Sequence, residues 1–185
     1  IEGSTFDTEA LARAVEGIDV ADYLIHSMGT GGDFAELDRK SAQNFIEACR
    51  AAGVGRVIYL GGLGAFETAS KHLKIRHETG QILSAYPDEV RAIWFRAGAI
   101  IGSGTGSFEI LHHLVQNLPI MIPPRWVRTK TEPVSIRDVI SYLHAAADLS
   151  CEDNLVVDIG ERQMTFRDML YQAAGVMGLR RLILP

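Results

Sequence analysis

Cysteine is scarce in this chain. Cys49 and Cys151 are the two present, and neither stands at a metal-binding or redox-motif spacing. A disulfide framework and a thiolate metal centre are therefore excluded as organising principles, and a reducing cytoplasm is the expected setting. Positive charge is not in excess either: 18 Lys and Arg against 23 Asp and Glu give a formal charge of -5. Nucleic acid and anionic membrane surfaces both select clustered cations, so neither is an expected partner. No apolar run reaches the ~18 residues that a membrane span needs. Internal repeats and low-complexity tracts are also missing. So is an initiator Met, and no Gly-x-x-Gly-x-x-Gly turn opens the sequence.

What is present reads as one α/β domain over residues 1–185. The hydrophobic fraction is 47% and the charged fraction 22%, enough apolar chain for one core. Val20-Ala-Asp-Tyr-Leu-Ile25 predicts a strand, followed by the loop His26 to Gly32 and a helix from an Asp33 cap to about Ala52. Phe34, Leu37, Ser41, Phe45 and Cys49 recur at three- and four-residue steps and predict that helix's buried face. Arg56-Val-Ile-Tyr-Leu60 is a β-branched and aromatic run stopped by Gly61-Gly62-Leu63-Gly64, hence a buried strand and a loop. A Pro-free helix follows between Lys71 and Tyr86, and Glu89 to Phe95 reads as the next strand. Alternation of this kind predicts a parallel sheet covered on both faces, with ligands beyond the carboxyl ends of the strands. His26 to Gly29, Leu60 to Gly64 and Arg96 to Gly102 should therefore lie along one rim.

In the second half, Phe108 to Val115 predicts an amphipathic helix with Phe108, Leu111 and Val115 on one face. His112 and His113 are adjacent and point to different sides, which argues against a shared metal. Pro119 to Thr131 lacks periodicity and is expected to be a loop; its Arg125, Arg128 and Lys130 suggest either a solvated surface or a site for an anionic substrate group. Leu155 to Ile159 reads as a strand, and Thr165-Phe-Arg-Asp168 as a near capping box. Gly102-Ser-Gly-Thr-Gly106 sits between a strand and a helix, the context of a phosphate loop, but lacks a correctly spaced third glycine. A connector, a substrate loop and a phosphate loop all remain open for it.

The series Tyr23 to Gly29, Asp38-Arg-Lys with Asn44, Ala51 to Val54, Arg56 to Gly64 and Arg96 to Gly102 resembles an atypical or extended short-chain dehydrogenase/reductase, of the epimerase/dehydratase-like and nitrogen-metabolite-repressor-like kind. The resemblance implies a Rossmann-like doubly wound sheet with NAD or NADP as cofactor. It begins inside that family's third strand, so two strand–helix units are expected to be missing at the N-terminus, with a substrate-side lobe mainly in 103–135 and 160–185. By the resemblance, His26, Ser27 and Met28 run past the cofactor ribose and nicotinamide, and Leu60, Gly61, Gly62, Ala97, Gly98, Ala99 and Ile100 complete the rim. The family usually places a substrate-binding Ser where Gly61 and Gly62 stand. Its Tyr-x-x-x-Lys is matched by His72-x-x-x-Arg76, which keeps the one-turn spacing and changes the chemistry. Arginine donates to a ribose or phosphate but is effectively never deprotonated, and histidine can carry a proton near neutrality. Two readings follow: an oxidoreductase or epimerase with a degenerate Ser/Tyr/Lys set, using His72 and Arg76 on a small-molecule substrate, or a non-catalytic NAD(P)-binding module that senses redox state or supports an assembly. The helices near 33–52 and 71–84 are the candidate faces for a homodimer.

Overall fold

The computed structural model describes residues 3–26, 34–66, 69–122 and 125–184. In chain order the elements are α1 (Thr8–Val15), β1 (Val20–Tyr23), α2 (Phe34–Ala52), β2 (Arg56–Gly62), α3 (Lys71–Leu83), β3 (Arg91–Ala97), β4 (Ile100–Ile101), α4 (Gly106–Asn117), β5 (Ile120–Met121), β6 (Lys130–Thr131), β7 (Val134–Ser135), α5 (Ile136–Asp148), β8 (Leu155–Ile159), β9 (Met164–Thr165), α6 (Phe166–Val176) and β10 (Leu182–Ile183). They divide into two compact units, residues 1–96 with 142–158, and residues 97–141 with 159–185.

The first unit is built on a four-stranded sheet in the order β1-β2-β3-β8. β1 and β2 run parallel with Tyr23 opposite Tyr59, so the residues after each strand emerge on the same edge. Val57, Ile58 and Ile93 are fully buried, as continuous apolar runs in a sheet covered on both faces require. Asp7 caps α1 by accepting from the Ala10 amide at 3.0 Å. On α2 the buried stripe is Ala35, Asp38, Ala42, Phe45, Ile46 and Cys49, with Ser41 beside it. Ser41, Phe45 and Cys49 are buried as expected, whereas Leu37, expected on that face, is instead 46% exposed and Asp38 lies inside the stripe. Gly53, at φ +73°, ends α2 in the left-handed conformation that glycine adopts without a Cβ penalty.

Long polar side chains tie the layers of this unit together. The Arg56 guanidinium donates to the Ala146 and Ala147 carbonyls at 3.1 and 2.6 Å, meeting the unpaired end of α5 where a cation is favoured by the helix dipole. Asn154 accepts from the Ala92 amide at 2.7 Å and donates to the Ser84 carbonyl at 2.9 Å. The Tyr23 and Ser41 hydroxyls are hydrogen-bonded at 2.8 Å, and Ser41 donates to the Thr5 hydroxyl at the same distance.

The second unit is assembled from short paired strands and two helices. β4 pairs with β7 and β5 with β10, both parallel, while β6 and β9 are antiparallel. Leu111 and Val115 of α4 pack with Met121, Met169, Leu170, Ala174 and Ile183. The stretch expected to be an unstructured loop from Pro119 to Thr131 contains β5, a 3-10 turn at Arg125–Arg128 and β6. Non-local pairing with β10 and β9 orders it, which local periodicity does not reveal. The capping box is present: Thr165 accepts from the Asp168 amide, and the Asp168 carboxylate accepts from the Thr165 amide and hydroxyl.

Candidate functional site

The carboxyl edge of the first unit is shaped by β2, which continues through Leu60, Gly61 and Gly62 rather than stopping at residue 60. Glycine persists there because large neighbours fill the space a side chain would take. A Cβ on Gly61 would lie 2.4 Å from the Trp94 Nε1, and one on Gly62 would lie 2.6 Å from a Leu73 methyl. Trp94, on β3, is 7% exposed and is also pressed against Gly80 of α3, where a Cβ would come within 2.5 Å of the indole. The indole thus lies in a trough floored by two glycines. It blocks a serine at 61 in the present packing, whereas the flexible Leu73 makes the obstruction at 62 softer.

α3 crosses this edge. Ser70 caps it by accepting from the Leu73 amide. Arg76 is half-buried, and its guanidinium donates to the Leu60 carbonyl at 3.2 Å, so a permanent cation stands at the end of β2. That is one hydrogen bond of the five a guanidinium can donate, and it leaves capacity for a hydroxyl or phosphate. Tyr59 donates through its hydroxyl to the Arg76 carbonyl at 3.1 Å. Burial pushes the Tyr59 phenol up to about 12, against the opposing pull of the Arg76 charge, so this tyrosine holds its proton at neutral pH.

His72 is exposed one turn before Arg76 and stacks on Phe34 of α2, centroids 5.2 Å apart at 12° between planes. The Lys71 ammonium also lies over the Phe34 ring, 4.8 Å from its centroid. His26 is exposed as well, three residues beyond Tyr23 on the strand beside β2. Ser27 and Met28 lie outside the described residues. The first unit therefore gathers Leu60, Gly61, Gly62 and Arg76 around the end of β2, with His72 one turn earlier on α3 against Phe34 of α2, and His26 following the adjacent strand. Ala97, Gly98, Ala99 and Ile100 belong to the second unit, where a Cβ on Gly98 would meet the Glu132 carbonyl at 2.3 Å and the Ala99 carbonyl accepts from the Val134 amide.

Two residues outside the sequence-derived candidates shape the same edge. Trp94 is one; its position within a strand marks it only as core. His77 is the other, 7% exposed, with Nε2 3.0 Å from the Gly64 carbonyl and its ring edge-on to Trp94 at 5.6 Å. It ties the glycine loop after β2 to α3. Its adjacency to Arg76 was the available signal, although the sequence alone does not distinguish a buried tether from a surface histidine.

The loop from Gly102 to Gly106 carries its own anion. Glu109 accepts from the Gly104 amide at 3.1 Å, and Thr105 accepts from the Phe108 amide as the cap of α4. A carboxylate already occupies this helix entrance and repels a phosphate there. Arg128 and Lys130 are both exposed in the second unit; the side chains of Arg125 and Trp126 lie outside the described residues. No metal-binding cluster of His, Cys, Asp and Glu occurs among the described residues, and no helix among them is long and apolar enough to cross a membrane.

Comparison with known proteins adds what geometry alone does not. Among curated proteins, none matches the chain. Among solved structures, MoeE5 in complex with UDP-glucuronic acid and NAD matches with a TM-score of 0.78 at 18% identity, covering 100% of this chain and 70% of that one. The UDP-glucose 4-epimerase of Thermus thermophilus, in complex with NAD, matches at 0.75 and 18%, covering 99% and 70%. The Thermotoga maritima UDP-glucose 4-epimerase, with UDP-glucose, matches at 0.79 and 15%, covering 100% of this chain and 71% of its own. These likenesses establish a Rossmann-like α/β fold. Residues 1–93, half of the chain, match the family described as NAD(P)H-binding. The match to its sequence, on a fold of the kind these structures share, places this chain in the NAD(P)H-binding family, with NAD or NADP as its cofactor.

Proposed function

We propose that the protein is an NAD(P)-linked oxidoreductase or epimerase of atypical type, in which His72 and Arg76 stand in for the Tyr and Lys of the usual catalytic set. The observation that carries this reading is the Arg76 guanidinium on the Leu60 carbonyl, one helical turn from the exposed imidazole of His72. The bound cofactor supplies hydride chemistry. Arg76 holds a ribose hydroxyl or a phosphate oxygen and does not exchange protons. His72 moves the proton at a substrate oxygen, a role that imidazole chemistry suits near neutrality. His26, Leu60, Gly61 and Gly62 line the path of the nucleotide in the first unit, and the second unit is taken as the substrate-side lobe. A substrate with an anionic group draws support from Arg128 and Lys130, and the sugar-nucleotide complexes of MoeE5 and the Thermotoga maritima epimerase make that class the first to screen.

A second reading, a nucleotide-binding module without turnover, is favoured by one observation: the Trp94 indole fills the space where the Gly61 side chain would stand, so a substrate-binding hydroxyl has no room there. Fluorescence titration with NADH and NADPH, run beside a carbonyl-substrate screen, separates the two. Arg76→Ala should weaken nucleotide binding by about tenfold under either reading, since a hydrogen bond from a charged donor is lost. His72→Phe should abolish turnover while leaving nucleotide affinity within about twofold under the first reading. Nucleotide binding without turnover in the wild type selects the second, and no binding at millimolar nucleotide overturns both.

A further inference from the structure

The second unit contains a cavity of about 440 Å³, within the size range of small-molecule sites. Its walls come from α4, α6 and the strands beside them, all in that unit. Phe108 and Leu111 face it from one side, and Met164, Met169, Val176 and Met177 from the other. Three methionines make an adaptable wall, because an unbranched thioether repacks around differing shapes at small cost.

Charge narrows the ligand further. Among the described residues lining the cavity, Glu161 is the one charged side chain, and neither Lys nor Arg is present. A diphosphate or a carboxylate placed there would lose its hydration with no cation to compensate, beside a group of like sign. The remaining polar side chains are His112, Gln172 and Ser135. His112 sits on α4, stacked on Phe108 at 5.7 Å, and Gln172 is on α6. Ser135 is already engaged, donating to the Asp138 carboxylate at 2.7 Å and accepting from the Asp138 amide. His112 and Gln172, set in a mostly apolar wall, can orient one hydroxyl or carbonyl and little more.

We propose that this cavity binds an uncharged, predominantly apolar small molecule carrying a single hydroxyl or carbonyl head, oriented by His112 and Gln172. The site stands on its own lining and does not depend on the nucleotide reading above. The cavity itself, unlike the exposed Arg128 and Lys130 elsewhere in this unit, offers no cation to a phosphate.

The test uses the whole chain and the neutral fluorophore N-phenyl-1-naphthylamine, displaced in turn by 1-decanol, decanoate and UDP-glucose. Decanol should displace the fluorophore at a concentration at least about tenfold lower than decanoate, and UDP-glucose should not displace it, because burying an unpaired charge costs more than burying a hydroxyl. Val176 is 90% exposed at the rim, so Val176→Arg should fold normally while placing a cation at the mouth. The variant should bring the alcohol-to-carboxylate ratio to within about threefold, with Val176→Thr leaving it unchanged. The proposal is overturned if decanol fails to displace the fluorophore, if decanoate or UDP-glucose matches decanol in the wild type, or if Val176→Arg leaves the ratio unmoved. The wild-type ratio decides the matter even if the arginine variant fails to fold.

Discussion

At the scale of single residues, the end of β2 is governed by steric exclusion. Gly61 and Gly80 are small because Trp94 is large and lies against both. Gly61→Ser, which would restore the family's hydroxyl on paper, should therefore destabilise the protein by about 1–3 kcal/mol, the usual cost of forcing atoms into a packed core. Urea unfolding measures this, and combining the change with Trp94→Leu should recover part of the loss. Recovery of activity in the single variant without loss of stability would show that the indole moves aside. The glycines at 61 and 62 were readable from the sequence; that a tryptophan one strand away leaves no room at 61 for a side chain was not. Cys49 gives a second residue-scale outcome. It is fully buried on α2, and burial pushes its thiol up to about 12. Iodoacetamide at mildly alkaline pH should label Cys151 in the native protein and Cys49 only after denaturation, because the thiolate is the reactive form.

At the scale of elements, the helix entrances decide what the segments behind them can do. Ser70 caps α3 just before the turn that carries His72. Ser70→Ala should cost about 1 kcal/mol and loosen that turn, with the loss visible as faster amide exchange at residues 71–74. The entrance of α6 is pH-sensitive instead. The Thr165 hydroxyl, then its amide, hold the Asp168 carboxyl below its ordinary value. This contribution to stability is present above the unfolded carboxyl value and is lost as pH falls through the lower folded one, at about pH 4 and below. Thr165→Ala should flatten the acid limb of the stability profile. The capping box was legible because its residues are adjacent in sequence. On α2 the burial of Ser41, Phe45 and Cys49 was legible too, but the choice of Asp38 over Leu37 in the first turns was not, because it depends on which side meets the core.

At the scale of the whole molecule, buried acids weigh on the alkaline side of the stability profile, and burial raises Tyr23 as well as Cys49 and Tyr59. Cys49 and Tyr59 both ionise less readily in the fold than their ordinary values of 9.0 and 10.0, each pushed up to about 12 by burial. Between the unfolded and folded values the unfolded chain binds fewer protons, so stability falls as pH rises from about 9. The drop should begin with Cys49 and steepen near pH 10 with Tyr59. Cys49→Ala should delay its onset by about one pH unit, which thermal melts across pH 8 to 11 can follow. An unchanged onset in that variant would assign the alkaline loss to other groups.

The sequence by itself determined the alternation of strands and helices, the nucleotide family and the spacing of His72 and Arg76, because each is written in local periodicity, turn chemistry or contiguous motifs. Tertiary structure alone decided the occupants of the spaces between elements. Trp94 fills the space beside Gly61, Glu109 answers the amide at the Gly102 to Gly106 loop, β5 and β6 find partners more than thirty residues away, and α4 and α6 line a mostly apolar cavity. Each of these depends on contact between residues distant along the chain, where shape and charge act through space and no local pattern records the outcome.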